Sequence, residues 1–195
     1  MKKLAVLFLV LFVGLAFTNM RAFAQDADKE PCSPKKFSLS VGAGMRSLSG
    51  NLYKDVYDGS GMSYNVDFGV RLGTALEAFI HTDYFSKDGE LTFTGEETTL
   101  TIIPAELGVR YLFKADKKCK IYPYVGAGVG YYMYKEENFI GTVDEKKLGF
   151  FAEGGLRYYL MSSFFVDLKV KNVSLKVEDI QLGGFAFMGA IGLSF

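Results

Sequence analysis

From Phe37 to the last residue, apolar and polar positions alternate with period 2, the pattern of strands whose two faces meet different surroundings. In residues 37–46, Leu39, Val41, Ala43 and Met45 share one face, while Ser38, Ser40, Gly42, Gly44 and Arg46 share the other. In residues 64–72, Tyr64, Val66, Phe68, Val70 and Leu72 oppose Asn65, Asp67, Gly69 and Arg71. The same division recurs in residues 76–85, 99–113, 123–134, 147–159, 164–171 and 181–195, so the chain is expected to form eight strands. At Asn172 the apolar parity shifts to Val173, Leu175 and Val177, which predicts a bulge there and a hairpin tip near Glu178 and Asp179.

The connectors alternate in length. They are long after the first, third and fifth strands (residues 47–63, 86–98 and 135–146), and short or charged after the second, fourth and sixth (73–75, 114–120 and 160–163). Long loops on one rim and short turns on the other are the layout of an all-β, eight-stranded antiparallel transmembrane barrel. A soluble barrel has the same period but points its apolar face inward. Here one face is almost unbroken Val, Leu, Ala, Phe and Tyr, and the other crowds Asp, Glu, Arg, Lys and Gly. A narrow eight-strand lumen has no room for all those rings, so the charged face is expected inside and the apolar face against lipid.

The first 24 residues follow another rule. Lys2 and Lys3 precede an apolar run over residues 4–17, and Ala22-Phe23-Ala24 offers a small-x-small cleavage site, so residues 1–24 read as an export signal. The run is shorter than the roughly 20 residues a spanning helix needs. Residues 25–36 then form a polar tail, and residues 37–195 the barrel. Removing Lys2, Lys3 and Arg21 takes three of the 22 basic residues and none of the 22 acids, leaving a formal charge of −3. That balance suits no nucleic-acid partner. In an exported chain the two cysteines, Cys32 and Cys119, can persist as a disulfide across the turn-side rim or as two separate thiols.

Three stretches carry a family likeness: residues 122–131 (YPYVGAGVGY), 102–113 (IIPAELGVRYLF) and the end 189–195 (GAIGLSF). They resemble the small outer-membrane β-barrel family of the OmpA and OmpX type, over essentially the whole mature chain. The resemblance implies placement in the cell outer membrane, contact with outer-membrane lipid and lipopolysaccharide, and a terminal Phe195 read as a signal by the barrel assembly machinery. The family's peptidoglycan-binding extension does not follow the last strand.

Candidate chemistry is sparse. Gly126-Ala-Gly128-Val-Gly130 leads into more strand, not into the helix N-terminus a phosphate loop requires. Its glycines read as space for long lumen side chains. His81, the single histidine, faintly resembles the active strand of outer-membrane lipid A deacylases, but Asp83 stands where those enzymes carry a serine, and parity puts both in the lumen with Glu77.

The sequence also writes acid, any residue, glycine, aliphatic, arginine three times: Asp67–Arg71, Glu106–Arg110 and Glu153–Arg157, 39 and 47 residues apart. Parity sends acid, glycine and arginine of each copy inward, as a stacked layer. It gathers six acids (Asp67, Glu77, Asp83, Glu106, Glu153, Asp167) and six bases (Arg46, Arg71, Arg110, Arg157, Lys169, Lys171) in one interior. Unpaired ions in a dry lumen cost several kcal/mol, so mutual pairing is expected. No catalytic residue, cofactor or metal is expected. The expected role is structural or surface-interacting, through outer loops that meet an extracellular ligand. A narrow small-solute porin and a lipid A-modifying enzyme are the competing classes.

Overall fold

The computed structural model describes residues 35–50, 56–57, 59–90, 95–113, 120–139, 141–177, 180–181 and 183–195. The expected export signal, Cys32 and Cys119 of the expected disulfide, most of the polar tail and the expected tip at Glu178 and Asp179 lie outside the described residues. The strands are β1 (Phe37–Leu48), β2 (Ser60–Arg71), β3 (Leu76–Glu90), β4 (Glu97–Leu112), β5 (Ile121–Asn138), β6 (Gly141–Tyr159), β7 (Phe164–Ser174), β8 (Lys176–Val177), β9 (Ile180–Gln181) and β10 (Gly184–Ser194). Eight of them close an antiparallel barrel in the order β1-β10-β7-β6-β5-β4-β3-β2, while β8 and β9 make a separate small hairpin. The ring closes where the chain begins and ends. The Phe37 amide donates to the Phe195 carbonyl at 2.9 Å, and the Phe195 amide returns a bond to the Phe37 carbonyl at 3.0 Å. A closed ladder leaves no strand edge along the barrel wall, the condition for crossing lipid with strands.

On the outer wall the Phe195 ring stacks on Phe37 at 5.9 Å, and Phe37 on Phe68 at 6.2 Å. The outward residues of β4 run Ile103, Leu107, Val109 and Tyr111, followed by Phe113 just beyond the strand. About 3.3 Å per residue at a strand tilt of roughly 40° makes that run a belt about 25 Å tall, the height of a hydrocarbon core.

Two expectations change. The loop expected over residues 135–146 is mostly strand, because β5 and β6 remain paired as far as Asn138 and Gly141. Above the apolar belt both strand faces meet water, so the period-2 signal fades while the backbone ladder continues. The registers place Gly141 to Gly149 of β6 higher than the top of β7, whose pairing begins at Phe150 and Ser174. Among the described residues, this part of β6 has a ladder partner on its β5 side only.

The bulge expected at Asn172 is also absent. Pairing runs without a slip through Lys171, Asn172 and Val173 against β10. Val173 and Leu175 are buried on the lumen side with the charged residues below them, because the upper interior is itself apolar.

The interior therefore holds rings as well as ions. Phe79, Phe85, Tyr132 and Phe151 pack with Leu48, Leu100, Ile102 and Val173 in one cluster reaching the distal mouth. Leu112, Tyr122, Tyr124, Tyr159 and Phe165 fill the end that carries the chain termini. Glycine makes the space. A Cβ on Gly108 would lie 2.7 Å from Phe79 Cζ and 2.9 Å from Phe151 Cζ, two rings in edge contact at 5.9 Å. Gly154, by contrast, would meet only the Tyr124 carbonyl, at 3.7 Å. Gly108→Ala should therefore lower unfolding stability by about 1–3 kcal/mol through overpacking, and Gly154→Ala should leave it nearly unchanged. Urea unfolding of the refolded proteins in lipid vesicles compares the two.

Candidate functional site

Barrel shear makes lumen-facing positions on neighbouring strands form rows that wind around the wall. One row runs Arg71, Glu77, Arg110, Gly126, Glu153, Lys171, Ala186 and Arg46, passing from β2 through β3, β4, β5, β6, β7 and β10 to β1. Charge alternates along most of it. The acid-glycine-arginine copies consequently do not form the simple layer that parity implies. Instead, the acid of one copy meets the arginine of another.

Arg110 is the centre. Its guanidinium grips Asp67 with both Nη atoms, at 3.0 and 2.6 Å, reaches Glu77 at 3.2 Å and donates Nε to Glu153. Its own copy contributes none of these acids. The Phe79 ring lies 3.8 Å from Arg110 Cζ, supplying a π face where water is excluded. Arg157 repeats the arrangement lower down: both Nη atoms hold Glu77 at 2.9 and 3.2 Å, Nε holds Asp167 at 3.1 Å, and the Phe165 ring lies 4.4 Å away.

The distal half uses lysines. Lys171 Nζ bridges Asp83 and Glu106 at 2.8 Å each, Lys169 Nζ donates to Asp67 at 2.9 Å, and Arg46 holds Asp83 at 2.9 Å. Two tyrosines that sequence parity placed inward without a role donate to carboxylates: Tyr124 to Asp167 and Tyr132 to Glu106, both at 2.7 Å. Ser38 adds a longer bond to Glu77 at 3.4 Å. Apart from Glu153, whose Oε2 has no hydrogen-bond partner, each of these carboxylates accepts at least two donors, as a charge that must be both paired and hydrogen-bonded requires.

Arg71 stands apart from the expected six-to-six pairing. It faces the lumen and is 8% exposed, but the opposed Glu77 turns away to Arg110 and Arg157. Arg71 Nη1 donates to the Thr74 carbonyl at 3.3 Å, and its Cζ lies 5.5 Å from the Tyr122 ring. Among the described residues no carboxylate pairs with it, so six acids share five bases.

His81 sits between acids, its Nδ1 3.1 Å from Asp67 and its Nε2 3.3 Å from Asp83. At 1% exposure it touches neither lipid nor solvent. His81, Asp83 and Glu106 are close enough to share a cation. The Lys171 ammonium already fills that role between the two carboxylates. The arrangement among the described residues is thus one of fixed opposite charges, His81 standing between Asp67 and Asp83.

Removing one partner exposes the cost. Arg157→Met leaves Glu77 and Asp167 short of their main donors and should cost about 3–5 kcal/mol. Adding Glu77→Gln should cost less than the two single losses together, since the groups share one network. A double-mutant cycle by urea unfolding measures both.

The comparisons agree with this architecture. Neisserial surface protein A covers 97% of its own chain and 82% of this one, at 18% identity and a TM-score of 0.62. OprG from Pseudomonas aeruginosa covers 99% and 86%, at 13% identity and a TM-score of 0.64. Ail of Yersinia pestis, solved with the heparin analogue sucrose octasulfate, covers 99% and 82%, at 13% identity and a TM-score of 0.55. These identities establish a shared fold. No curated protein matches the sequence. The profile described as "Outer membrane protein beta-barrel domain" matches residues 8–190, and with a closed eight-strand barrel of outward apolar and inward charged faces, the chain belongs to that outer-membrane barrel family.

Proposed function

We propose that this is an outer-membrane envelope protein whose lumen is closed to solutes and whose activity lies in surface interaction at the distal end. What supports this reading is the succession of buried side chains along the interior. Ion-paired residues occupy the middle, aromatic side chains close the terminal end, and an apolar cluster closes the distal end. Tyr57, from the segment between β1 and β2, caps that cluster: it is 2% exposed, and its hydroxyl bonds Thr98 and Glu136 at 3.0 Å each. Eight strands leave an interior only as wide as the side chains that fill it.

With the short turns toward the periplasm, the distal end faces outward. There β5 and β6 extend a rigid hairpin beyond the belt, displaying Phe139 and Val143 at 66% and 55% exposure. Recognition commonly resides in such projections on a rigid scaffold. The surrounding strand ends carry Asp88, Glu90, Glu97, Glu137, Asp144 and Glu145 against Lys87, Lys135, Lys146 and Lys147. This acidic excess disfavours a sulfated polyanion of the kind solved with Ail. Outer-membrane lipid and lipopolysaccharide surround the apolar belt, and the Phe195 end is the recognition element for the assembly machinery. A hydrolytic role on lipid is disfavoured by the burial of His81.

Planar bilayers containing the refolded protein should show no stable ohmic steps, and vesicles containing it should not swell in small sugars. Large, reproducible steps would replace this reading with a porin. Replacing residues 139–143 by a Gly-Ser linker should leave the melting temperature within about 2 °C and abolish surface binding in a cell-adhesion assay.

A further inference from the structure

Among the described residues, Arg71 is the lumen cation without a counter-charge. Its two counterparts in the repeated motif, Arg110 and Arg157, each hold at least two carboxylates, at 1% exposure against 8% for Arg71. Arg71 ends β2 at the terminal mouth of the barrel. Its Nη1 is spent on the Thr74 carbonyl, and its buried Nη2 has no hydrogen-bond partner. Tyr122 supplies a ring face at 5.5 Å but no charge. A guanidinium cannot lose its proton to relieve such a position. A buried charge left unpaired is strongly destabilising, and with no carboxylate among the described residues in reach, the position favours an added anion.

Among the described residues, Lys35, Lys36 and Lys120 lie at the same end: Lys35 Nζ bonds Ser163, the Lys36 carbonyl accepts from the Arg71 amide, and the Lys120 carbonyl accepts from the Tyr159 amide. We propose that Arg71 forms an oxyanion seat at the periplasmic mouth, taking a phosphate group through its free Nη2. The planar guanidinium suits phosphate geometry. Two sources share that chemistry: free phosphate in the periplasm, and the headgroup of an anionic phospholipid in the adjacent leaflet.

The test is thermal unfolding of the refolded full chain in neutral detergent micelles, followed by circular dichroism at constant ionic strength. Three proteins are compared: wild type, Arg71→Gln and Arg71→Lys. Without phosphate, Arg71→Gln should melt higher than wild type, because it removes an unpaired buried charge. Inorganic phosphate at a hundredfold excess over its dissociation constant should raise the wild-type Tm by about 5–10 °C. It should raise that of Arg71→Lys less and that of Arg71→Gln not at all. A rise seen only when micelles are doped with phosphatidylglycerol, and not with phosphatidylcholine, assigns the seat to the lipid headgroup. If Arg71→Gln melts below wild type in anion-free buffer, or if all three proteins respond alike to both probes, the seat does not exist.

Discussion

Much in this barrel follows from enclosing charge among side chains that leave it almost unexposed. Closing eight strands satisfies the backbone, but it commits every second side chain to an interior of fixed width. Ions placed there cannot be screened by solvent, so each requires a partner of opposite sign at bonding distance. Asp67 meets that demand with Arg110 and Lys169, and Glu77 with Arg110 and Arg157. The arginines also rest on Phe79 and Phe165, which tie the ionic middle to the apolar ends. Packing and electrostatics thus act on the same side chains, and neither part of the interior can be altered without disturbing the other.

The winding of the rows explains why a motif written once per hairpin yields a single network. Had the strands been unstaggered, the three acids would have crowded at one depth and the three arginines at another. Shear instead offsets each hairpin from its neighbour, so Glu153 lies opposite the level of Arg110 and pairs with it. Glycine within each copy is part of the same solution. Gly108 admits two phenyl edges, and a Cβ on Gly155 would crowd the Tyr124 ring, whose hydroxyl must reach Asp167.

The strand pattern and the face of most residues were legible in the sequence, because one face meets lipid and the other does not. Arg46, Glu106, Arg110 and Lys171 all lie inward as period 2 requires. Partner choice was not legible. It depends on register and shear, which no single strand encodes, and so the isolation of Arg71 could not be anticipated from a balanced count of six and six. The roles of Tyr124 and Tyr132 were hidden for a related reason: parity turns both rings inward, but which carboxylate each hydroxyl reaches depends on register. The continuity of β7 through Asn172 escaped because Val173 and Leu175 looked lipid-facing, whereas the upper interior is apolar. The β5–β6 hairpin escaped because strands surrounded by water on both sides lose the contrast on which the pattern rests.

That hairpin has a consequence for crowding. From Gly141 to Gly149, β6 has no ladder partner among the described residues on the side facing away from β5, and such an edge is a template on which another extended chain could grow. The segment carries Asp144, Glu145, Lys146 and Lys147 in succession, charges that point to both faces of the sheet. Any strand aligning there would have to match both signs on both faces at once, which indiscriminate neighbours do not. Many copies can therefore stand close together in one membrane without stitching into a continuous sheet.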